Sequence, residues 1–184
     1  MSGKTLKVYI AGKVSHNSSF GKTHWRDNFC KQLSELSSIK LINIDPTKNG
    51  VDQTSPQITF GVDAYSIKNC DVLIVYLSDD ISVGGSQEIL IAKYFKKPVI
   101  ALVPFGGKFN GSTREYMGKV IRNYKDPFVF STCDIIVSTI EEVAASLKSI
   151  KALRPITIDI IEELSQDFEQ NQLKDNKYLK KLLK

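Results

Sequence analysis

The chain has 184 residues, 42% of them hydrophobic, with a formal charge of +5. That length and apolar content favour one domain with a full core and an extension, and exclude an extended or disordered chain. No apolar run approaches the ~20 residues of a membrane span. The charge is spread along the chain except for a basic end (Lys177, Lys180, Lys181, Lys184), and no basic stripe interleaves with aromatics, so nucleic acid is not indicated as a partner. A mild positive field also suits a phosphorylated small substrate.

The N-terminus runs straight into a strand and does not read as a signal peptide. Three widely spaced cysteines, Cys30, Cys70 and Cys133, fit buried reduced thiols better than a disulfide framework. A cytoplasmic protein is therefore expected.

Leu6 to Ala11 reads as a first strand buried on both faces. His24 to Leu36 reads as a helix with Trp25, Phe29, Leu33 and Leu36 on one side. Lys40 to Ile44 is a short second strand stopped by Asp45-Pro46, and residues 46–56 are loop-like. A second helix is expected over about Pro56 to Asn69, with proline at its first position. Val72 to Leu77 is a third strand, and Gly85 to Phe95 a third helix that reads as nearly all buried. Val99 to Val103 is a fourth strand. Residues 104–112 read as a flexible loop and Thr113 to Tyr124 as a fourth helix. Phe128 to Phe130 and Ile135 to Val137 read as a broken fifth-strand region, and Glu141 to Ile150 as a helix.

Strands that are continuous apolar runs, alternating with helices, predict a parallel sheet covered on both faces. The expected fold is an α/β three-layer sandwich, flavodoxin-like or Rossmann-like, with five parallel strands in the order 2-1-3-4-5. The ligand crevice of that order lies between the C-terminal ends of strands one and three. Those ends carry Ala11-Gly12-Lys13-Val14-Ser15 and Ser78 to Glu88. The domain is expected over residues 1–150, and residues 151–184 as an amphipathic helical tail. In that tail Pro155 breaks the chain, and Ile158, Ile161, Leu164 and Phe168 then recur at helical spacing. The tail reads as packing on the domain or on a second subunit, not on a membrane, since acidic residues interrupt its polar side.

Ser82-Val83-Gly84-Gly85-Ser86-Gln87-Glu88 places a glycine turn and a carboxylate where a helix opens after a strand. Such a turn aims backbone N–H groups and a dipole's positive end into the crevice. A carboxylate in the helix's first turn is then expected to stay ionised, as a nucleophile requires. Its bland reading is a helix-start acid gaining ~0.3–1 kcal/mol from the dipole. Asp63 falls one helical turn before Ile67 and can face the same sheet edge, or equally a solvated helix face. Asp71 reads as a turn residue leading into the third strand. Gly21-Lys22-Thr23 fails the P-loop pattern, because His16 stands at the required first glycine. His16 and His24 lack metal-ligand spacing, and no G-x-S-x-G elbow is present. Neither a metal nor a cofactor is indicated.

Together these residues resemble the nucleoside 2-deoxyribosyltransferase family, which includes the 2′-deoxynucleoside 5′-monophosphate N-glycosidases. The resemblance covers roughly residues 6–150. It rests on Val8-Tyr9-Ile10-Ala11-Gly12, on Asp63, Ile67 and Asp71 at intervals of four, and on Gly84-x3-Glu88 with Ala92 and then Lys97-Pro98-Val99-Ile100. Asp45-Pro46 is a weaker element. The resemblance implies that Glu88 is the nucleophile attacking C1′ of the sugar and that Asp63 holds or protonates the leaving base. It implies that Tyr9 and Gly12 line the cleft, and that a homodimer or larger homo-oligomer completes each site.

One departure is informative. Many of the family's transferases carry Asp six residues before the nucleophile, where this chain has Ser82. A serine there resembles the monophosphate N-glycosidases, in which hydroxyls and glycine turns bind a 5′-phosphate; Ser82, Gly84, Gly85 and Ser86 would do so here. The first loop lacks the arginine-containing glycine loop of those hydrolases, for which Lys13, Ser15 or Lys22 would substitute. Ser112 is a candidate phosphate contact from a neighbouring subunit. Three activities stay open: sugar transfer from a (deoxy)nucleoside through a glycosyl-Glu88 intermediate, hydrolysis of a (deoxy)nucleoside 5′-monophosphate, and nucleotide binding without turnover.

Overall fold

The structure is a computed structural model, and it describes residues 5–12, 25–48, 55–78 and 80–183. Its elements are β1 (Thr5–Ala11), α1 (Trp25–Ser37), β2 (Lys40–Asn43), α2 (Pro56–Lys68), β3 (Val72–Tyr76), α3 (Val83–Tyr94), β4 (Val99–Leu102), β5 (Asn110–Tyr116), β6 (Lys119–Lys125), α4 (Pro127–Thr132), β7 (Ile135–Val137), α5 (Ile140–Leu147), α6 (Ile160–Asn171) and α7 (Lys177–Leu182).

Five strands form one sheet in the order β2-β1-β3-β4-β7, and every pairing in it is parallel. This is the expected flavodoxin-like order, with β7 as the fifth strand. Its strands are apolar runs because helices cover both faces: every residue of β3 and of β4 is buried. Alternation divides each strand between two cores. Val8, Ile10, Ile74 and Ile100 face α1 and α5 and meet Phe29, Leu33, Val143 and Leu147. Tyr9, Ala11, Leu73, Val75 and Val99 face the other side and meet Ile67, Ile89 and Ala92 of α2 and α3. Tyr9 is thus committed to the side that carries α2 and α3.

Asp134, just before β7, ties three segments together at the N-terminal edge of the sheet. Its carboxylate pairs with Lys93 of α3, both side chains being almost wholly buried. It also accepts the N–H groups of Val99 and Ile156. Burial pushes the Lys93 ammonium down, and Asp134 opposes that by hydrogen bond and charge.

The structure corrects four expectations. Thr113 to Tyr124 is not a helix. It belongs to the antiparallel hairpin β5–β6, which also takes in part of the expected 104–112 loop. The two loop residues, Met117 and Gly118, both have positive φ, at 50° and 73°, as a hairpin turn matched to strand twist requires. Phe128 to Phe130 is not a strand either. Asp126 accepts the N–H groups of Phe128 and Val129, Pro127 occupies the first helical position, and α4 follows. The third helix starts at Val83, two residues before Gly85, because Ser82 caps it. Finally, α3 is not buried all round: Gly85, Ile89, Ala92 and Lys93 form its inner face, while Val83, Leu90 and Tyr94 are exposed.

Candidate active site

The site is built at the C-terminal edges of β1 and β3, where the sheet order reverses. Tyr9 comes from β1, is 1% exposed, and donates its phenolic O–H to Glu88 Oε1 at 2.7 Å. Glu88 lies three residues after buried Gly85 on α3, so its side chain flanks the inner face of that helix. Asp63 is one turn before buried Ile67 on α2 and lies close enough to the same phenol and to Glu88 for its charge to act on both. One phenol therefore gathers two carboxyl groups from two helices.

Arg26, near the start of α1, completes the cluster from across the sheet. Its Nε donates to the Ile10 carbonyl at 2.9 Å and Nη2 to the Gly12 carbonyl at 3.2 Å. The guanidinium lies 5.0 Å from the centre of the Trp25 ring. It thereby holds the end of β1 and brings the cluster a positive charge. Sequence reading missed Arg26, because its contacts are to strand-end carbonyls and carry no motif; an arginine beside the one tryptophan, on the first helix after the β1 loop, was the available hint.

Burial raises the Glu88 pKa above the ordinary glutamate value; the Tyr9 hydrogen bond lowers it, the Asp63 charge raises it and Arg26 lowers it. Asp63 is likewise raised by burial, with the Tyr9 phenol and the Arg26 charge acting against it. The phenol of Tyr9 is pushed far up, first by burial and then by Glu88. These directions make burial, rather than a helix dipole, the main influence on the Glu88 carboxyl. With Ser82 as cap, Glu88 is the sixth helical residue, past the first turn within which the dipole acts. Desolvation prevails.

The remaining expected site residues fall in several places. Gly12 has φ 137°, and a Cβ there would stand 2.7 Å from the Tyr76 carbonyl oxygen, so the position requires glycine. Ser82 Oγ accepts the Gly85 N–H at 3.0 Å, a helix cap. Gly84 is exposed, and a Cβ there would meet only Ser82 Oγ at 3.9 Å. Gly85 is buried, with 3.2 Å from its Cβ position to both Ile81 and Ser82. Ser86 donates to the Val83 carbonyl at 2.8 Å and faces a cavity of about 410 Å³ between α3 and α4 that Phe109 and Phe128 also line. Ser112 is exposed on β5. Lys13, Ser15, His16, Lys22 and His24 lie outside the described residues. The structure thus brings together Tyr9, Asp63 and Glu88 with the Gly12 turn, while Ser82 and Gly85 build the start of α3. Asp71 is a strand-entry residue that bridges β1 and β3, exchanging backbone and side-chain hydrogen bonds with Lys7.

Among the described residues no group of three or more His, Cys, Asp or Glu could hold a metal ion, and no helix is long and apolar enough to cross a membrane.

No family model matches the sequence, and no curated protein matches it. Solved structures do resemble its fold. A 2-deoxyribosyltransferase from Bacillus psychrosaccharolyticus aligns at 16% identity over 82% of this chain and 97% of that one, with a TM-score of 0.49. A 2-deoxyribosyltransferase from Leishmania mexicana aligns at 18% identity over 80% and 97%, also at 0.49. A CMP N-glycosidase from Clostridium botulinum aligns at 16% identity over 77% and 98%, at 0.41. Likeness at this level assigns no residue roles, which rest on the cleft itself.

Proposed function

We propose that this protein cleaves the N-glycosidic bond of a (deoxy)nucleoside and transfers the sugar to another nucleobase. One observation carries the reading: at the sheet's crossover edge the Tyr9 phenol donates to Glu88, and Asp63 lies within charge-interaction reach of both. The motif resemblance supports it independently.

The chemistry follows from that arrangement. A phenol has one proton to donate, and it goes to Glu88, which favours the ionised form of that carboxyl. In this reading Asp63, which does not receive that hydrogen bond, is assigned the proton of the pair. A Glu88 oxygen attacks C1′ as the C1′–N bond breaks, its electron pair passing to the base, which takes the Asp63 proton. An oxocarbenium-like transition state is stabilised by a nearby carboxylate. The incoming base attacks C1′, the bond to Glu88 breaks, and the proton displaced from that base returns to Asp63. Two inversions give net retention.

Incubation with deoxyinosine and free adenine tests the reading. New deoxyadenosine supports transfer, and its absence together with no release of hypoxanthine defeats it.

A second reading is hydrolysis of a 5′-monophosphate. Ser82 favours it, since the hydroxyl accepts from Gly85 and that bond does not use the O–H proton, which can meet a phosphate at the start of α3. Free base from deoxynucleoside monophosphates, with none from nucleosides, selects this reading. Ligand affinity without base release from either substrate selects a non-catalytic binding module.

A further inference from the structure

The C-terminal end of β1 loses its neighbour on one side. Carbonyls point alternately to the two sides of a strand, so those of Val8, Ile10 and Gly12 face the side of β2. β2 ends at Asn43, and the Ile44 N–H takes the Val8 carbonyl at 2.8 Å. The next residue in step is Pro46, which has no N–H. Lys48, two further on, donates its N–H to the Asp45 carbonyl at 3.1 Å. The Ile10 and Gly12 carbonyls therefore reach the crossover edge with no strand donor in step, although main-chain acceptors inside a fold require partners.

Arg26 supplies both partners. Its Nε and Nη2 donate to these two carbonyls at 2.9 and 3.2 Å. The two nitrogens share one edge of a rigid planar fork, so the fork sets the spacing of the carbonyls it holds. The fork is itself anchored. It lies over the ring of Trp25, which is 2% exposed and packs on Phe29 and Tyr76. The far edge of that ring stands 3.4 Å from where a Cβ on Gly12 would be. A helix side chain thus takes the place of two strand residues, at the point where β1 delivers the Tyr9 phenol to Glu88.

Resting on the N-glycosidic reaction proposed for this cleft, we infer that Arg26 is a positioning residue: it fixes the end of β1 and so holds the Tyr9 phenol on Glu88. Its hydrogen bonds go to main-chain oxygens, so it acts through the strand and not on the reacting atoms. Its charge acts at longer range. The charged and titratable groups facing Glu88 are Tyr9 from β1, Asp63 from α2 and Arg26 from α1, and of these Arg26 alone is a cation.

Two variants test the role. Arg26→Lys keeps the charge and loses the fork, and Arg26→Gln loses both. In the exchange of deoxyinosine with adenine, each should lower kcat about tenfold to a hundredfold with little change in KM, because a misplaced group is felt in the transition state. Wild-type kcat in Arg26→Lys overturns the proposal. So does a raised KM with kcat kept, which would make Arg26 a substrate contact. In a Tyr9→Phe background, Arg26→Lys should cost less than about threefold more, since the phenol it serves is gone; a full further loss overturns the route through Tyr9. The acid limb of kcat/KM should move to higher pH in Arg26→Gln and stay in place in Arg26→Lys, because a nearby cation favours the carboxylate. An unmoved limb in Arg26→Gln overturns the part played by the charge. Urea midpoints give the same cycle without turnover: Arg26→Lys and Tyr9→Phe together should lower the midpoint by less than the sum of the single shifts, and additive shifts overturn the coupling. A wild type that releases no base defeats the glycosidic reading instead, and the urea cycle then decides whether Arg26 positions Tyr9.

Discussion

Tyr9→Phe removes the hydroxyl group from the centre of the site and leaves the ring in place. The phenol is buried and donates to a partly buried carboxylate at 2.7 Å. Hydrogen bonds to charged groups contribute about 1.5–3 kcal/mol, so at pH 7 the variant should lose about that much stability. For a chain of this length each kcal/mol corresponds to about 2–4 °C in Tm. The sign of the pH dependence follows from the raised Glu88 pKa. A carboxyl titrating higher in the folded than in the unfolded chain costs stability once both states are ionised, and the cost disappears below the unfolded value. Tyr9 lowers the folded value, so its loss enlarges the cost, and the deficit of Tyr9→Phe should shrink on acidification. In an Asp63→Asn/Glu88→Gln background the phenol faces only neutral amides, and the same substitution should cost about 0.5–1.5 kcal/mol. Urea unfolding at pH 7 and pH 4, in both backgrounds, reads all of this. An equal deficit in every arm would refute the idea that the phenol serves an ionised carboxylate.

Glu88→Gln should abolish base release yet raise Tm at neutral pH, the gain fading toward pH 4; an inactive variant with unchanged or lower Tm at pH 7 would contradict the assigned desolvation cost. In wild type, kcat/KM should fall on acidification through a pKa above the ordinary glutamate value, and a plateau extending to pH 4 would remove Glu88 as an ionised nucleophile. Gly12→Ala forces a Cβ to within 2.7 Å of the Tyr76 carbonyl at a φ of 137°, and should destabilise by about 1–3 kcal/mol; calorimetry showing no loss would mean the turn relaxes freely. Ser82→Ala should cost about 0.5–2 kcal/mol as a lost cap, whereas Ser82→Asp keeps a capping oxygen. If phosphate binds there, Ser82→Asp raises KM for monophosphates and leaves nucleosides unaffected, and equal KM changes for both would remove phosphate from that position.

Much of the architecture was legible because burial on both faces writes itself into composition. Val72 to Tyr76 and Val99 to Leu102 are unbroken apolar runs, and their spacing with the intervening helices leads to the sheet order. The hairpin was illegible for the converse reason. Six of the seven β6 residues are exposed, so no period-two apolar pattern marks it, and its turn places Met117, not the usual Asn or Asp, at positive φ. Phe128-Val129-Phe130 reads as a strand by composition, while the deciding signal was polar: Asp126 followed by Pro127. Glu88 and Asp63 were legible by type and spacing. Their electrostatics were not, because a two-residue shift in the start of α3 moves Glu88 out of the dipole's reach and because desolvation depends on neighbours from three elements.

Asp134 has a practical consequence for anyone trimming this chain. The Ile156 N–H is one of the donors that hold its buried carboxylate, alongside Lys93 and the Val99 N–H. Lys93 lies on α3, five residues beyond Glu88. A boundary drawn at residue 150, where the sheet and its covering helices are complete, would remove a donor from that carboxylate. The disturbance would reach the cleft through the length of α3, so a shortened protein keeps the packing around Glu88 only if it continues through Ile156.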